Sequence, residues 1–237
     1  MSADNQTFLA VLKNSFKEYL KTNPRSNEKL KILHPFIASD ICSRLGSSIY
    51  KCFSLGLGKE ESITGRYMGK KVDITIKNGE TFVAGIAVKF VMSNYSQNTN
   101  NYFENMLGET ANIRCNGIPY FQIFCIFDVL PYFDINGNIR RWEHVSEQSI
   151  SKYVKLSQDN SDVYFHTPNK TLMYILHLNP DGETIGSITT NLKYQQYYLK
   201  NEFSLKPSTM SFNFERSIIY NDYELFADKV MHIIKSI

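Results

Sequence analysis

The spacing of hydrophobic residues predicts helices at both ends of the chain. Apolar residues recur at helical spacing over 7–21, and the pair Asn23-Pro24 is expected to end that helix. The same pattern predicts a second helix over about 27–53, bent near Pro35. A last amphipathic helix is predicted over about 222–237. Helical segments are therefore expected on both sides of the middle of the chain.

Apolar runs in the middle of the chain predict strands. The runs 72–76 and 86–90 lie on either side of the turn Asn78-Gly79, which indicates a β-hairpin. The run 120–130 is apolar at almost every position, as in a central strand that is covered on both faces. A further strand is predicted over 171–178. Helices before, between and after strands predict an α/β fold with a mixed central β-sheet flanked by helices.

Composition narrows the class of protein without identifying it. The 237 residues are 43% hydrophobic, which suffices for the core of one large domain. No apolar run approaches the ~18 residues that a membrane span needs, and the N-terminal residues lack the apolar region of a signal peptide. We therefore expect a cytoplasmic protein with no membrane partner. The net charge of +3 is too small to indicate nucleic acid by itself, and the four cysteines lack the C-x-x-C spacing of a zinc site.

Two charged residues, Asp73 and Lys89, interrupt the apolar hairpin strands. Side chains alternate along a strand, so the two charges share a face only if odd-numbered residues pair with odd-numbered ones. Asn-Gly favours a two-residue loop, which pairs odd with even. Because burial outweighs turn preference in setting the register, we predict a loop of three or five residues with Gly79 in the left-handed conformation. A two-residue loop without a later bulge would exclude a shared site.

An aspartate beside a lysine on a face of small residues suits metal-assisted cleavage of a phosphodiester bond. The carboxylate is a preferred ligand of Mg²⁺, and the ammonium group stabilises developing negative charge. A surface ion pair across an edge hairpin is an equally good explanation of the same spacing. The five histidines are scattered without a metal-ligand or nucleophile pattern, and we assign them structural roles.

The segment 58–114 resembles the PD-(D/E)xK nucleases, chiefly the type II restriction endonucleases. The resemblance rests on Asp73, the turn after it, and the hydrophobic strand that ends in Lys89. The flanking runs 65–74 (GRYMGKKVDI) and 93–110 (SNYSQNTNNYFENMLGET) are also similar to sequences around that motif. This resemblance implies a restriction-endonuclease-like α/β/α core.

The resemblance also implies roles for individual residues. Asp73 corresponds to the shared metal ligand, the carbonyl group of Val88 to a backbone ligand, and Lys89 to the catalytic lysine. Glu61, or else Glu60, would provide an acid that several such enzymes carry on a helix.

The chain departs from the motif at the second acid, because Ala87 stands where the motif has Asp or Glu as a catalytic metal ligand. An engineered Glu→Ala change would explain this departure. Alternatively, the acid has migrated to the following helix, with Glu104 as the first candidate and Glu109 as the second, or the site is naturally inactive. We favour the first explanation, because Gly-Ile-x-Val-Lys-Phe otherwise matches an unaltered catalytic strand.

Amide side chains are concentrated just after Lys89, and amides can pair with adenine in the major groove. An amide-rich capping loop is the alternative explanation. The residues that we expect to contact DNA are Lys70, Lys71, Ser93, Asn94, Tyr95, Gln97, Asn98, Asn100, Asn101 and Arg114.

The combined prediction is a type II site-specific deoxyribonuclease that cuts duplex DNA with Mg²⁺, for which Mn²⁺ can substitute. With Ala87 as written, it is expected to be weakened or inactive. A homodimer is expected because a two-fold protein matches a palindromic site, as in restriction–modification. A repair or recombination nuclease of the same fold and a non-catalytic DNA-binding module are the alternatives. We expect a single domain over 1–237, with N-terminal helices over about 7–55, a catalytic core over about 58–178 and a C-terminal extension over about 190–237.

Overall fold

The computed structural model describes residues 2–22 and 26–237. The first helix, α1, runs over Asn5–Lys21, and the carboxylate of Asp4 caps it by accepting a hydrogen bond from the Thr7 N–H group at 2.8 Å. Its predicted end at Asn23-Pro24 lies outside the described residues.

The second helix, α2, is shorter than the sequence pattern predicts. It runs over Leu30–Leu45 and includes Pro35. Gly46 ends it with a φ of +104°, a conformation that favours glycine. The prediction of a helix to 53 is wrong, since Tyr50–Ser54 forms strand β1.

The remaining elements alternate strands and helices. In chain order they are β2 (Ser62–Thr64), β3 (Gly69–Lys71), β4 (Ile74–Asn78), β5 (Thr81–Val91), α3 (Tyr95–Arg114), β6 (Tyr120–Phe127), β7 (Val129–Phe133), β8 (Ile139–His144), α4 (Glu147–Ser157), β9 (Lys170–Asn179), α5 (Gly182–Ile185), α6 (Asn191–Lys200), β10 (Ser204–Pro207), β11 (Ile218–Tyr220) and α7 (Tyr223–Lys235).

Seven strands form one mixed sheet in the order β1-β4-β5-β6-β9-β10, with β11 also paired to β9. The pairs β1–β4, β4–β5 and β9–β10 are antiparallel, whereas β5–β6, β6–β9 and β9–β11 are parallel. All eight residues of β6 are buried, as predicted for a central strand. The predicted α/β fold with a mixed central sheet flanked by helices is confirmed.

The hairpin between β4 and β5 has the predicted register, but a bulge and not an odd-length loop produces it. Asn78 pairs with Thr81, so the loop has two residues and the prediction of an odd-length loop is wrong. Gly79 adopts the left-handed conformation with a φ of +59°, as predicted. A bulge at Val83 then shifts the register, so that Thr75 pairs with Gly85. Odd residues therefore pair with odd residues beyond the bulge.

The C-terminal part of the chain is built into the same sheet. Strands β10 and β11 both pair with β9, and α7 packs against α2 and β9. An ion-pair network also ties these parts together, because the buried Arg44 side chain bonds Asp40 at 3.0 Å and the partly exposed Asp228 of α7 at 2.6 Å. In the described ranges, no helix combines the length and the apolar character needed to cross a membrane.

Candidate active site

A cleft of about 420 Å³ lies between the start of α2, helix α3 and strands β5 and β6. The charged or polar residues that line it include Asp73, Lys89, His34, Glu109 and Gln122. The cleft therefore joins the two charges of the hairpin to groups from three other elements.

Asp73 is held at the start of β4 by buried neighbours. The preceding residue, Val72, packs in a small apolar cluster with Ile63, Ile113 and Tyr120, which attaches the β2–β3 hairpin to α3 and the sheet. The carboxylate Oδ2 of Asp73 accepts a hydrogen bond from the backbone N–H group of Val88 at 2.7 Å. This bond places Asp73 next to the stretch of β5 that ends in Lys89.

Lys89 shares the cleft with Asp73 and lies on the same face of β5 as Ala87. Its Nζ atom lies 4.3 Å from the ring centroid of Tyr102 on α3, in a cation–π contact. The side chain stays solvent-exposed because the cleft is open. The cleft walls nevertheless desolvate the ammonium group and lower its pKa, while the carboxylate of Asp73 acts in the opposite direction.

Ala87 lines the cleft between Asp73 and Gln122. Continuing the β4–β5 register by one residue from Ile74–Ile86 places Ala87 opposite Asp73. On its other side, Ala87 pairs with Gln122 of β6, whose buried Oε1 atom has no hydrogen-bond partner among the described residues. A longer side chain at position 87 would therefore meet a carboxylate on one side and an amide on the other.

His34 belongs to the same site, although its sequence context predicts a structural role. Its side chain is completely buried on α2, and one ligand atom each from His34, Glu60 and Asp73 lie within 4.8 Å of one another. Burial lowers the pKa of His34, and burial raises the pKa of Asp73. Both shifts have the same cause, which is the burial of these groups in the cleft wall, and the spacing of the three ligand atoms is that of a group that could hold a cation.

Glu60 and Glu61, the acids expected on a helix beside Asp73, are positioned differently in the structure. Glu60 and Glu61 lie in the connection between β1 and β2, outside any helix, so the expected helical position of this acid is wrong. Glu61 forms an ion pair with Lys77 at 2.7 Å, and Glu60 forms one with Lys71 at 2.9 Å. Glu60, not Glu61, is therefore the acid that lies beside Asp73.

On α3, the two candidate acids differ in position. Glu109 lines the cleft, pairs with Lys70, and accepts a hydrogen bond from the Tyr120 hydroxyl group at 3.4 Å. Glu104 is exposed and lies near Lys152 outside the cleft lining. The order of these candidates from sequence, Glu104 before Glu109, is reversed by the geometry.

Two of the residues expected to contact DNA have structural contacts instead. Tyr95 is buried, and its hydroxyl group donates to the Ser149 carbonyl group at 3.0 Å. Arg114 is buried and donates to the Tyr164 and Thr167 carbonyl groups. These two expectations are corrected, because neither side chain is free to reach a duplex.

The other amide residues surround the N-terminal end of α3. Asn94 clamps the backbone of Phe133 with two hydrogen bonds, and Asn98 donates to the Asn94 carbonyl group. Asn100 is exposed and accepts from Lys152 at 2.7 Å. The remaining positions are exposed or half-buried: Ser93, Gln97 and Asn101.

Hydrogen bonds from α3 anchor the β2–β3 hairpin. The side chain of Asn112 on α3 bonds the backbone of Tyr67 and Met68 three times, at 2.9, 3.3 and 2.9 Å. Tyr67 and Met68 are nevertheless 75% and 65% exposed. Asn112 therefore holds the β2–β3 hairpin in place, with Lys70 and Lys71 on its second strand near the cleft.

Comparison with known proteins identifies no relative: no family model matches the chain, and no curated protein or solved structure matches it. The functional interpretation therefore rests on the geometry of the cleft. That geometry combines oxygen and nitrogen ligand atoms with a neighbouring ammonium group, a set that can bind a cation and stabilise an anion.

Proposed function

We propose that the protein is a metal-dependent deoxyribonuclease of the restriction type, which hydrolyses phosphodiester bonds in duplex DNA at the cleft around Asp73. The observation that carries this proposal is the convergence of Asp73 and Lys89, from adjacent strands, in one open cleft. A structural ion pair on an edge hairpin would not require the additional ligand atoms of His34 and Glu60 beside it.

The donor atoms at the cleft fit a divalent cation. The buried nitrogens of His34 have no hydrogen-bond partner among the residues described, and buried polar groups normally have one. Asp73 and Glu60 supply carboxylate oxygens, which bind Mg²⁺ and Mn²⁺. A metal bound by these side chains would polarise a phosphate oxygen and acidify a water molecule.

The chain's own residues have separate tasks in this proposal. The Val88 N–H group holds the carboxylate of Asp73 in one orientation through the 2.7 Å hydrogen bond. Lys89 holds positive charge at the open side of the cleft, where a phosphate can reach it, and stabilises the negative charge that develops on phosphate. Its lowered pKa also makes its proton easier to transfer to a leaving oxygen.

The position opposite Asp73 determines how much activity remains. With Ala87, one motif carboxylate is missing, whereas Glu109 supplies a carboxylate on the facing helix wall of the cleft. If Ala87 is an engineered replacement of Glu, Ala87→Glu should raise Mg²⁺-dependent cleavage by orders of magnitude. If Glu109 has taken over the role, Glu109→Gln abolishes the activity of the chain as written.

Cleavage of a long duplex tests the proposal. The chain and its Ala87→Glu variant are incubated with DNA and either Mg²⁺ or Mn²⁺. We expect discrete DNA fragments from the active protein. These fragments should disappear when the same protein also carries the substitution Lys89→Gln. The matched control is Lys77→Gln, which removes a lysine of the same hairpin outside the cleft lining and should leave cutting intact. Nicks confined to branched DNA would favour the repair nuclease instead. Absence of cutting by both proteins would refute the nuclease proposal.

A DNA-binding module without catalysis is the second candidate, and Ala87 is the observation that favours it. Loss of a negative charge near phosphates reduces repulsion, so binding can persist without cleavage. This candidate predicts salt-dependent affinity for duplex DNA with no cleavage by the Ala87→Glu variant.

A further inference from the structure

The most unusual group in the cleft is His34. It lies on α2, completely buried, and neither Nδ1 nor Nε2 has a hydrogen-bond partner within the described part of the chain. Leaving a buried polar group unpaired destabilises the folded protein. A histidine in this position therefore needs a partner, and the described residues do not supply one.

The surroundings of His34 indicate what that partner is. Glu60 and Asp73 come from two other segments, and their ligand atoms lie within 4.8 Å of one another and of a ring nitrogen. Ligand atoms around an ion bound at about 2.1 Å lie roughly 3–4 Å apart, so small side-chain rotations would bring the three together. A hydrogen bond from His34 to either acid would also satisfy the ring, but no such bond is formed.

We propose that His34, Glu60 and Asp73 form a mixed nitrogen–oxygen centre for a divalent transition-metal ion. This inference deepens the proposed nuclease, on which it rests for the use of the ion, and it changes the expected metal. An imidazole ligand suits Mn²⁺, Co²⁺ and Zn²⁺ better than Mg²⁺, which prefers oxygen ligands and retains several waters. The histidine thus takes part of the role of the carboxylate that position 87 lacks.

The charges around the centre are compatible with a dication. Asp73 and Glu60 supply two negative charges, and Lys71 is the cation paired with Glu60, at 2.9 Å. The Lys71 side chain is 67% exposed, so it can move into solvent when the ion enters. Lys89 lies across the cleft and remains available to an anion that approaches the metal.

Metal binding to the full chain, measured without DNA, tests this proposal. Protein freed of metal is titrated with Co²⁺, followed by its visible absorption, and with Mn²⁺ or Mg²⁺, followed by calorimetry. We expect one tight site for Co²⁺ and Mn²⁺ and affinity for Mg²⁺ at least about 10-fold weaker. The variant His34→Leu should bind Co²⁺ and Mn²⁺ at least about 10-fold more weakly. Loss of a residue that only hydrogen-bonds a metal ligand already weakens metal binding by about 10-fold or more, and loss of a ligand itself should weaken it at least as much.

A matched variant controls for adventitious binding by histidine. His144 pairs with Glu183 at 2.9 Å and does not line the cleft, so His144→Leu should leave the tight site unchanged. Equal affinity of wild type and His34→Leu for Mn²⁺ and Co²⁺ would overturn the proposal. Equal loss in both histidine variants would overturn it as well.

A spectroscopic readout on the unaltered chain covers the case in which His34→Leu fails to fold. Pulsed electron paramagnetic resonance of the Mn²⁺ complex should show coupling to a directly bound ¹⁴N nucleus, and Asp73→Asn should weaken Mn²⁺ binding. Absence of that coupling refutes the centre even if DNA is cut with Mg²⁺. Conversely, nitrogen coupling without any cutting or binding of DNA would support the centre and refute the nuclease.

Discussion

Restoring an acid at position 87 should make the stability of the protein depend on metal. Ala87 lies opposite Asp73 in the extended β4–β5 register, and directly opposed side chains in an antiparallel pair have Cβ atoms about 4.5–5.5 Å apart. Two carboxylates about 5 Å apart repel by about 3 kcal/mol at an effective dielectric constant of about 20. We therefore expect Ala87→Glu to lose up to about 3 kcal/mol of unfolding free energy without metal. In a chain of this size, that loss lowers Tm by about 6–12 °C.

Metal should reverse this loss, because the added glutamate would then be a ligand. An ion at 100 times its Kd stabilises the folded state by about 2.7 kcal/mol. The assay is thermal unfolding with a chelator and with Mg²⁺ or Mn²⁺. Thr81→Glu adds the same charge to an exposed position of β5, and its Tm should respond to metal no more than that of the wild type. If metal raises the Tm of Ala87→Glu no more than that of Thr81→Glu, position 87 does not lie at the metal site.

Other substitutions test separate parts of the account. Asp73→Asn should stabilise the metal-free protein by about 0.5–2 kcal/mol near neutral pH. Burial raises the pKa of Asp73 above its unfolded value, so its contribution to stability is present at low pH and is lost as the pH rises through the folded pKa. Urea unfolding from pH 4 to pH 8 should therefore show a flatter pH dependence for the variant. Lys89→Gln should reduce cleavage by about 10²–10³-fold in an active background while duplex affinity changes little, as measured by single-turnover cutting and by filter binding. Asn112→Ala removes three hydrogen bonds to the β2–β3 hairpin and should cost about 1.5–4 kcal/mol in urea unfolding, and an unchanged midpoint would contradict the clamp.

The hairpin illustrates what a sequence pattern can and cannot specify. Alternation along the strands requires the apolar residues to share one face, and this requirement correctly predicts that Asp73 and Lys89 lie together. It does not specify how the chain achieves that register. The two-residue turn and the burial pattern are both satisfied because Val83 bulges out of β5, and a bulge has no distinctive residue pattern at this position.

The N-terminal region shows where periodicity is misleading. The apolar residues of 27–53 continue at helical spacing through Ile49, yet that side chain is 58% exposed and the helix has already ended at Gly46. The residues of β1 pair with β4 at the edge of the sheet instead of extending α2. Such pairing depends on residues about 25 positions away, which local spacing does not report.

His34 was missed for a related reason. A lone histidine on an apolar helix is usually a core residue, and the carboxylates that give this one a possible ligand role are distant in sequence. The only local signal is a histidine among the buried apolar residues of α2, directly before Pro35. The position of Glu109 in the cleft was predicted only as a second choice, because spacing along α3 does not reveal which side of the helix faces β5.

The most direct test is a crystal structure of the protein with duplex DNA and Mn²⁺. We expect an anomalous Mn²⁺ peak at about 2.2 Å from a carboxylate oxygen of Asp73, with a backbone phosphate of the duplex next to the Nζ atom of Lys89. A duplex bound on another surface, with no metal or phosphate in the cleft between β5 and α3, would contradict it.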